Sequence, residues 1–123
     1  MSDEVSQLPA HIQERLLRLQ QLQQTLQSVL AQKQQVDIET TETEQALGEI
    51  QKLGDDANIY KAIGSLMIKS EKTKITTELN ERKELLSTRA AVLTKQEERL
   101  RAQVKDAQTK LQQDLNPISP PPV

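Results

Sequence analysis

Ile59-Tyr60-Lys61-Ala62-Ile63-Gly64-Ser65-Leu66-Met67-Ile68-Lys69 is the one stretch of this chain that reads as β-structure, and it lies almost midway along the sequence. Apolar and β-branched residues flank Gly64-Ser65, and a glycine at the first central position is what a two-residue type II′ turn requires. A turn there sets Ile63 opposite Leu66, Ala62 opposite Met67, Lys61 opposite Ile68 and Tyr60 opposite Lys69. A lone two-stranded hairpin is marginal in water, because each strand keeps one edge of unpaired N–H and C=O groups. No third strand is legible elsewhere. The hairpin is therefore expected to find its missing strands on other chains.

Composition supports that reading. The 123 residues include no Trp, Phe or Cys, one Tyr and three Gly, and 35% are apolar. A compact soluble domain carries nearer ~45–50% apolar residues when Gly is counted. Gln, Glu, Lys, Leu and Thr dominate, as in long solvated helices. The 16 basic and 18 acidic residues are interspersed, for a net charge of −2, which leaves no basic face for nucleic acid and no polybasic membrane anchor. No apolar run approaches the roughly 18 residues of a membrane span, and the N-terminus lacks the layout of a signal peptide. The absence of Cys fits a reducing compartment, so the expected location is cytoplasmic.

The arms on either side of the hairpin are helical. Residues 1–7 are polar and expected to be flexible. Pro9 suits the first helical position, with Ser6 or Leu8 in the cap region. A heptad then runs through residues 8–54. One seam position takes Ile12, Leu19, Leu26, Lys33, Thr40 and Leu47; its companion takes Leu8, Arg15, Leu22, Val29, Val36, Thr43 and Ile50. This is the spacing of a left-handed coiled coil. Gly54, before Asp55-Asp56, reads as a helix stop with left-handed φ. Gly48, inside the helix, reflects either close approach of another chain or plain tolerance, and tolerance is the favoured reading.

After the hairpin, residues 58–70, Ser70 or Thr73 can cap a second helix over 71–115, with Glu71 in its first turn. Leu79, Leu86, Leu93, Leu100 and Ala107 recur every seventh residue, accompanied by Lys83, Ala90, Glu97, Val104 and Leu111. Asn116-Pro117 ends the pattern, and the Pro-rich tail, residues 116–123, is expected to be extended and flexible. Arms of equal length, each about 70 Å at 1.5 Å per residue, can return antiparallel and bring both termini to one distant tip. Leu47 then meets Leu79, Leu26 meets Leu100, Leu22 meets Val104 and Leu19 meets Ala107. The predicted fold class is mainly α: an antiparallel two-helix coiled coil with one central β-hairpin that joins an intersubunit β-barrel.

Nothing in this pattern supports catalysis, which needs convergent groups in a pocket that excludes water. His11 has no spaced Cys, Asp or His partner, and no glycine-rich phosphate loop is present. No cofactor, metal or catalytic residue is expected, and the chain is not read as an enzyme. The tip half of the first helix is richer in apolar residues than one seam needs, with Leu16, Leu17 and Leu30 added and Leu17 opposite the seam; Leu115 adds to the second helix. Two readings stay open for these residues: a wider packing stripe with scattered exposed leucines, or a partly open apolar tip that holds something.

Tyr60-Lys61-Ala62-Ile63-Gly64-Ser65-Leu66-Met67-Ile68-Lys69 followed by Glu78-Leu79 closely resembles the beta subunit of archaeal prefoldin, whose mark is a Tyr-Lys-x-x-Gly hairpin, an aliphatic strand ending in a basic residue, and a helix beginning around Glu-Leu. The Gln20–Gln24 region, Gln32-Lys33-Gln34 with Val36, Glu44-Gln45-Ala46-Leu47, Asp55-Asp56-Ala57 and Gln96-Glu97-Glu98-Arg99 are similar too. The resemblance covers about residues 7–115 and leaves out the Pro-rich tail. It implies a hexamer of two alpha and four beta subunits, in which hairpins join into linked β-barrels. It also implies that coiled-coil tips hold unfolded proteins and pass them to a group II chaperonin without nucleotide hydrolysis. The expected oligomerisation residues are Ile59, Tyr60, Ile63, Gly64, Leu66, Met67 and Ile68. The expected client-binding tip is Leu8, Ile12, Leu16, Leu17, Leu19, Val104, Leu111 and Leu115. Two other readings remain: a structural coiled-coil tether or adaptor, and a subunit of a prefoldin-like complex with another role.

Overall fold

The computed structural model describes residues 8–116; the expectations for residues 1–7, for Ser6 as a cap and for the tail beyond Asn116 fall outside this range. Four elements follow in order: α1 (Ala10–Gln51), β1 (Ile59–Ile63), β2 (Leu66–Ser70) and α2 (Lys72–Leu115). The fold is mainly α, two long helices joined through one antiparallel hairpin.

The hairpin has the register that the turn chemistry predicts, from Ile63 opposite Leu66 to Tyr60 opposite Lys69, extended by Ile59 opposite Ser70. Gly64 has φ +58°, and no other described residue has positive φ. A positive φ at the first central residue alone separates a type II′ turn from type I′, which needs both.

The helix ends correct the sequence reading in detail. The Pro9 carbonyl accepts from Ile12 N and Gln13 N at 3.0 and 3.1 Å, so Pro9 is the cap residue rather than the first helical one, and Gln13 Nε2 reaches back to the Leu8 carbonyl at 2.7 Å. α1 ends at Gln51, before the predicted stop, tightening through bonds from Lys52 N to Glu49 O and Leu53 N to Ile50 O. Gly54 is not left-handed. Its carbonyl instead accepts from Ala57 N in a turn, and a Cβ on it would meet Asp56 Oδ1 at 2.9 Å. At the start of α2 the Glu71 carbonyl takes the first helical bond, from Ile75 N, while the Ser70 hydroxyl has no hydrogen-bond partner and caps nothing. Gly48 is exposed, and a Cβ there would meet nothing within 4 Å, so no described residue crowds it.

The chain divides into two units. The first comprises the chain ends, through Gln32 and from Leu93 onward. Its core is the predicted seam: Ile12, Leu22, Leu26, Val29, Leu93 and Leu111 are buried, with Leu19, Leu100, Val104 and Ala107 half-buried. Two seam-level polar groups face each other there, Arg15 Nε against Asp114 Oδ2, an antiparallel match of the beginning of α1 with the end of α2.

The second unit spans Lys33–Val92. Val36, Thr43, Leu47, Ile59, Ile75 and Leu86 are buried in it. Thr43 is the polar member of this core, and its Oγ1 donates to the Glu39 carbonyl at 2.7 Å, so the buried hydroxyl is satisfied within its own helix. Thr40 does the same with Val36 O at 2.8 Å. Lys83, a predicted seam residue, is exposed instead: its long stem lets the ammonium leave the seam and reach Glu44, at 3.8 Å. Arg82 and Glu39 lie 3.8 Å apart alongside.

Candidate assembly hairpin and apolar ends

Alternation along the strands sorts the hairpin into two faces. Ile59, Lys61 and Ile63 share one with Leu66, Ile68 and Ser70; Tyr60 and Ala62 share the other with Met67 and Lys69. Almost all of this surface is open. Tyr60 is 55% exposed, Ile63 50%, Leu66 64%, Met67 67% and Ile68 47%. Leaving five large apolar side chains in water forfeits on the order of 1–2 kcal/mol each relative to covering them, and both strands keep a free edge. Surface of this kind on both faces of a two-stranded ribbon is an unfinished sheet.

Ile59 stands apart from the other candidate assembly residues. It is buried by its own chain, at the back of a cleft of about 780 Å³ that Ile50, Ile75, Leu79 and Leu85 also line. It anchors the hairpin to the helices. Two lysines reinforce this base. Lys61 Nζ donates to Glu78 Oε2 at 2.9 Å, and Lys72 Nζ donates to the Leu53 carbonyl at 2.7 Å with Asp55 3.7 Å away. The Lys61 bond, with the charges of Lys61 and Lys74, outweighs burial and holds the Glu78 carboxyl below its ordinary value. Residue types and spacing in the sequence did not mark this pair. The usable signal was a lysine on a mostly aliphatic hairpin face.

In the unit of the chain ends, the candidate tip residues fall into two groups. Ile12 and Leu111 are buried in the seam. Leu8, Leu16, Leu19, Val104 and Leu115 are half-buried, and Leu17 is 56% exposed. Leu111 and Leu115 line a shallow groove with Gln108, Gln112 and Asn116. Four leucines and one valine are thus partly exposed in this unit, beside the open Leu17. Among the described residues no group of three or more His, Cys, Asp or Glu side chains could hold a metal ion, and no helix is long and apolar enough to cross a membrane.

Two long helices joined through an open two-stranded hairpin define the class of protein: a mainly α fold with one β-ribbon at its midpoint. Comparison with known proteins gives the family. The prefoldin subunit family model matches residues 13–117. The chain is 42% identical over 113 residues to the prefoldin subunit beta of Archaeoglobus fulgidus, covering 92% of this chain and 97% of that one. It is 41% identical over 114 residues to that of Methanothrix thermoacetophila, covering 93% and 95%. The crystal structure of the prefoldin beta subunit from Thermococcus strain KS-1 superposes with a TM-score of 0.79 at 40% identity, covering 93% of this chain and 96% of that one. The beta2 subunit from the same strain shares the fold, with a TM-score of 0.67 at 22% identity over 74% of this chain and 97% of its own. The chain belongs to the prefoldin family of chaperone subunits, and its similarity runs to the beta subunits. These relatives are named as subunits of prefoldin and not as enzymes.

Proposed function

We propose that this chain is a subunit of an ATP-independent holding chaperone. It joins prefoldin alpha subunits through the hairpin, in an assembly of two alpha and four beta chains. It holds unfolded proteins at its coiled-coil tips and delivers them to a group II chaperonin. The observation that carries this reading is the exposure of Tyr60, Ile63, Leu66, Met67 and Ile68 on both faces of a ribbon with two free edges.

The mechanism follows from what a non-native chain presents. It exposes apolar surface of no fixed sequence, so its binder needs an adaptable apolar contact rather than a shaped pocket. Leu17 and the half-buried Leu8, Leu16, Leu19, Val104 and Leu115 supply one per subunit. Each contact alone is weak. Several of them on one body turn the second and later contacts into intramolecular events, which raises overall affinity without any new contact type. A tether that joins two partners by its ends has no use for an open hairpin at its midpoint, so the hairpin favours the chaperone over the adaptor.

The test is suppression of aggregation of a chemically unfolded client by the complex formed with an alpha subunit. Deleting residues 1–16 or 105–123 is expected to leave assembly intact and weaken suppression. Full suppression by both truncated complexes would remove the tip assignment.

A further inference from the structure

Lys61 is out of place by composition. It shares its hairpin face with Ile59, Ile63, Leu66, Ile68 and Ser70, and it stands directly opposite Ile68. Covering that face in an assembly would bury a cation among aliphatic side chains, which is costly unless the charge is paired and hydrogen-bonded. Its partner lies within the chain. Glu78, two turns into α2, accepts its hydrogen bond at 2.9 Å, with side-chain exposures of 45% for Lys61 and 33% for Glu78.

The connectivity gives this contact leverage. β2 runs into α2 through Glu71 alone, so the ribbon's direction relative to α2 is set at that one junction. β1 is the other strand, reached from α1 through residues 52–58. A bond from β1 to α2 therefore closes a triangle with β2 and that junction, as a cross-brace does. The neighbouring charged groups are otherwise engaged or turned to water: Arg82 lies beside Glu39, Glu49 holds Lys52, and Glu81 is exposed at the cleft edge. Lys74 adds only its charge to Glu78. Lys72 ties the start of α2 to the segment after α1.

We propose that Lys61 and Glu78 are positioning residues for assembly: their ion pair fixes the angle at which the hairpin leaves the helices, and so presents its edges ready to pair. This rests on the assembly role of the hairpin given above. Any freedom of angle that the Ile59 anchor leaves to the ribbon would be lost when a neighbour binds, and that loss subtracts from association. The brace removes it beforehand.

The experiment uses the full chain mixed with a two-hairpin prefoldin alpha subunit. Assembly is followed against concentration by analytical ultracentrifugation, with circular dichroism as the control for helix content. Lys61→Glu and Glu78→Lys each place like charges together and are expected to raise the concentration for half-assembly roughly fivefold or more. The double exchange restores the pair and is expected to recover most of that loss. Neutral variants Lys61→Met and Glu78→Gln serve where a reversal disturbs folding, and should weaken assembly less. Wild-type assembly by all single variants, or no recovery in the double exchange, overturns the proposal. The Ile63→Asp/Leu66→Asp chain runs in parallel: if it fails to assemble while the charge variants assemble normally, only the brace falls. If it assembles normally too, the assembly role of the hairpin falls with it.

Discussion

Ile63 and Leu66 face each other across the Gly64–Ser65 turn, yet they remain 50% and 64% exposed. The pairing that closes the hairpin does not cover it. Among the described residues, none packs them away from solvent. In the proposed assembly, neighbouring chains cover them.

Replacing both residues by Asp should therefore abolish assembly and leave the helices intact. In the isolated chain the change is expected to move thermal stability little, since substitutions at exposed positions stay within about 0.5 kcal/mol. Circular dichroism and light scattering on the same sample check both halves.

Gly64 and Gly48 should respond to alanine in opposite ways. Neither site is crowded, since a Cβ would meet no atom within 4 Å at either. Gly64, however, holds φ +58°, where an L-residue is strained by about 1–2 kcal/mol. Gly64→Ala should lower the unfolding midpoint of the hairpin and weaken assembly. Gly48→Ala removes a flexible residue from a helix and should stabilise by roughly 0.5–1 kcal/mol. Urea unfolding of the two variants measures the contrast.

Thr43→Val probes the polar core. Thr43 is 3% exposed, and its hydroxyl is tied to a carbonyl of its own helix. Valine keeps the shape and frees that carbonyl from a competing bond, so the variant should match the wild type or gain up to about 1 kcal/mol. A clear loss in urea unfolding would mean that the hydroxyl holds the helices together in a way these hydrogen bonds do not record.

Acid should loosen the hairpin base. The hydrogen bond from Lys61, and the charges of Lys61 and Lys74, keep the Glu78 carboxyl below its ordinary value against an opposing push from burial. A carboxyl with a lower pKa in the folded than in the unfolded chain binds fewer protons when folded, so its contribution is complete above the ordinary carboxylate range and is lost as pH falls through the lowered folded value. Wild type and Glu78→Gln should therefore differ in hairpin amide protection at neutral pH and converge in acid. Amide exchange as a function of pH checks the sign.

The legible parts of the fold were those written in local periodicity. A spacing of three and four residues put Ile12, Leu22, Leu26, Val29, Val36 and Leu47 on one stripe, and these side chains are buried. One glycine before Ser65 set the hairpin register down to Lys69. What escaped depends on three-dimensional return of the chain. Lys61 and Glu78 are 17 residues apart, a separation with no meaning until β2 and α2 fold back past β1. The burial of Ile59 depends in the same way on Ile50 and Ile75, from two different helices, lining one cleft. At Gly54 the residue type pointed to a left-handed helix stop, while the bond from Ala57 N to its carbonyl selects a turn instead.

Native mass spectrometry of this chain co-expressed with a two-hairpin prefoldin alpha subunit tests the central claim most directly. The account predicts a hetero-oligomer containing both chains, lost when Ile63 and Leu66 are replaced by Asp. A wild-type chain that keeps its single-chain mass beside that partner would contradict it.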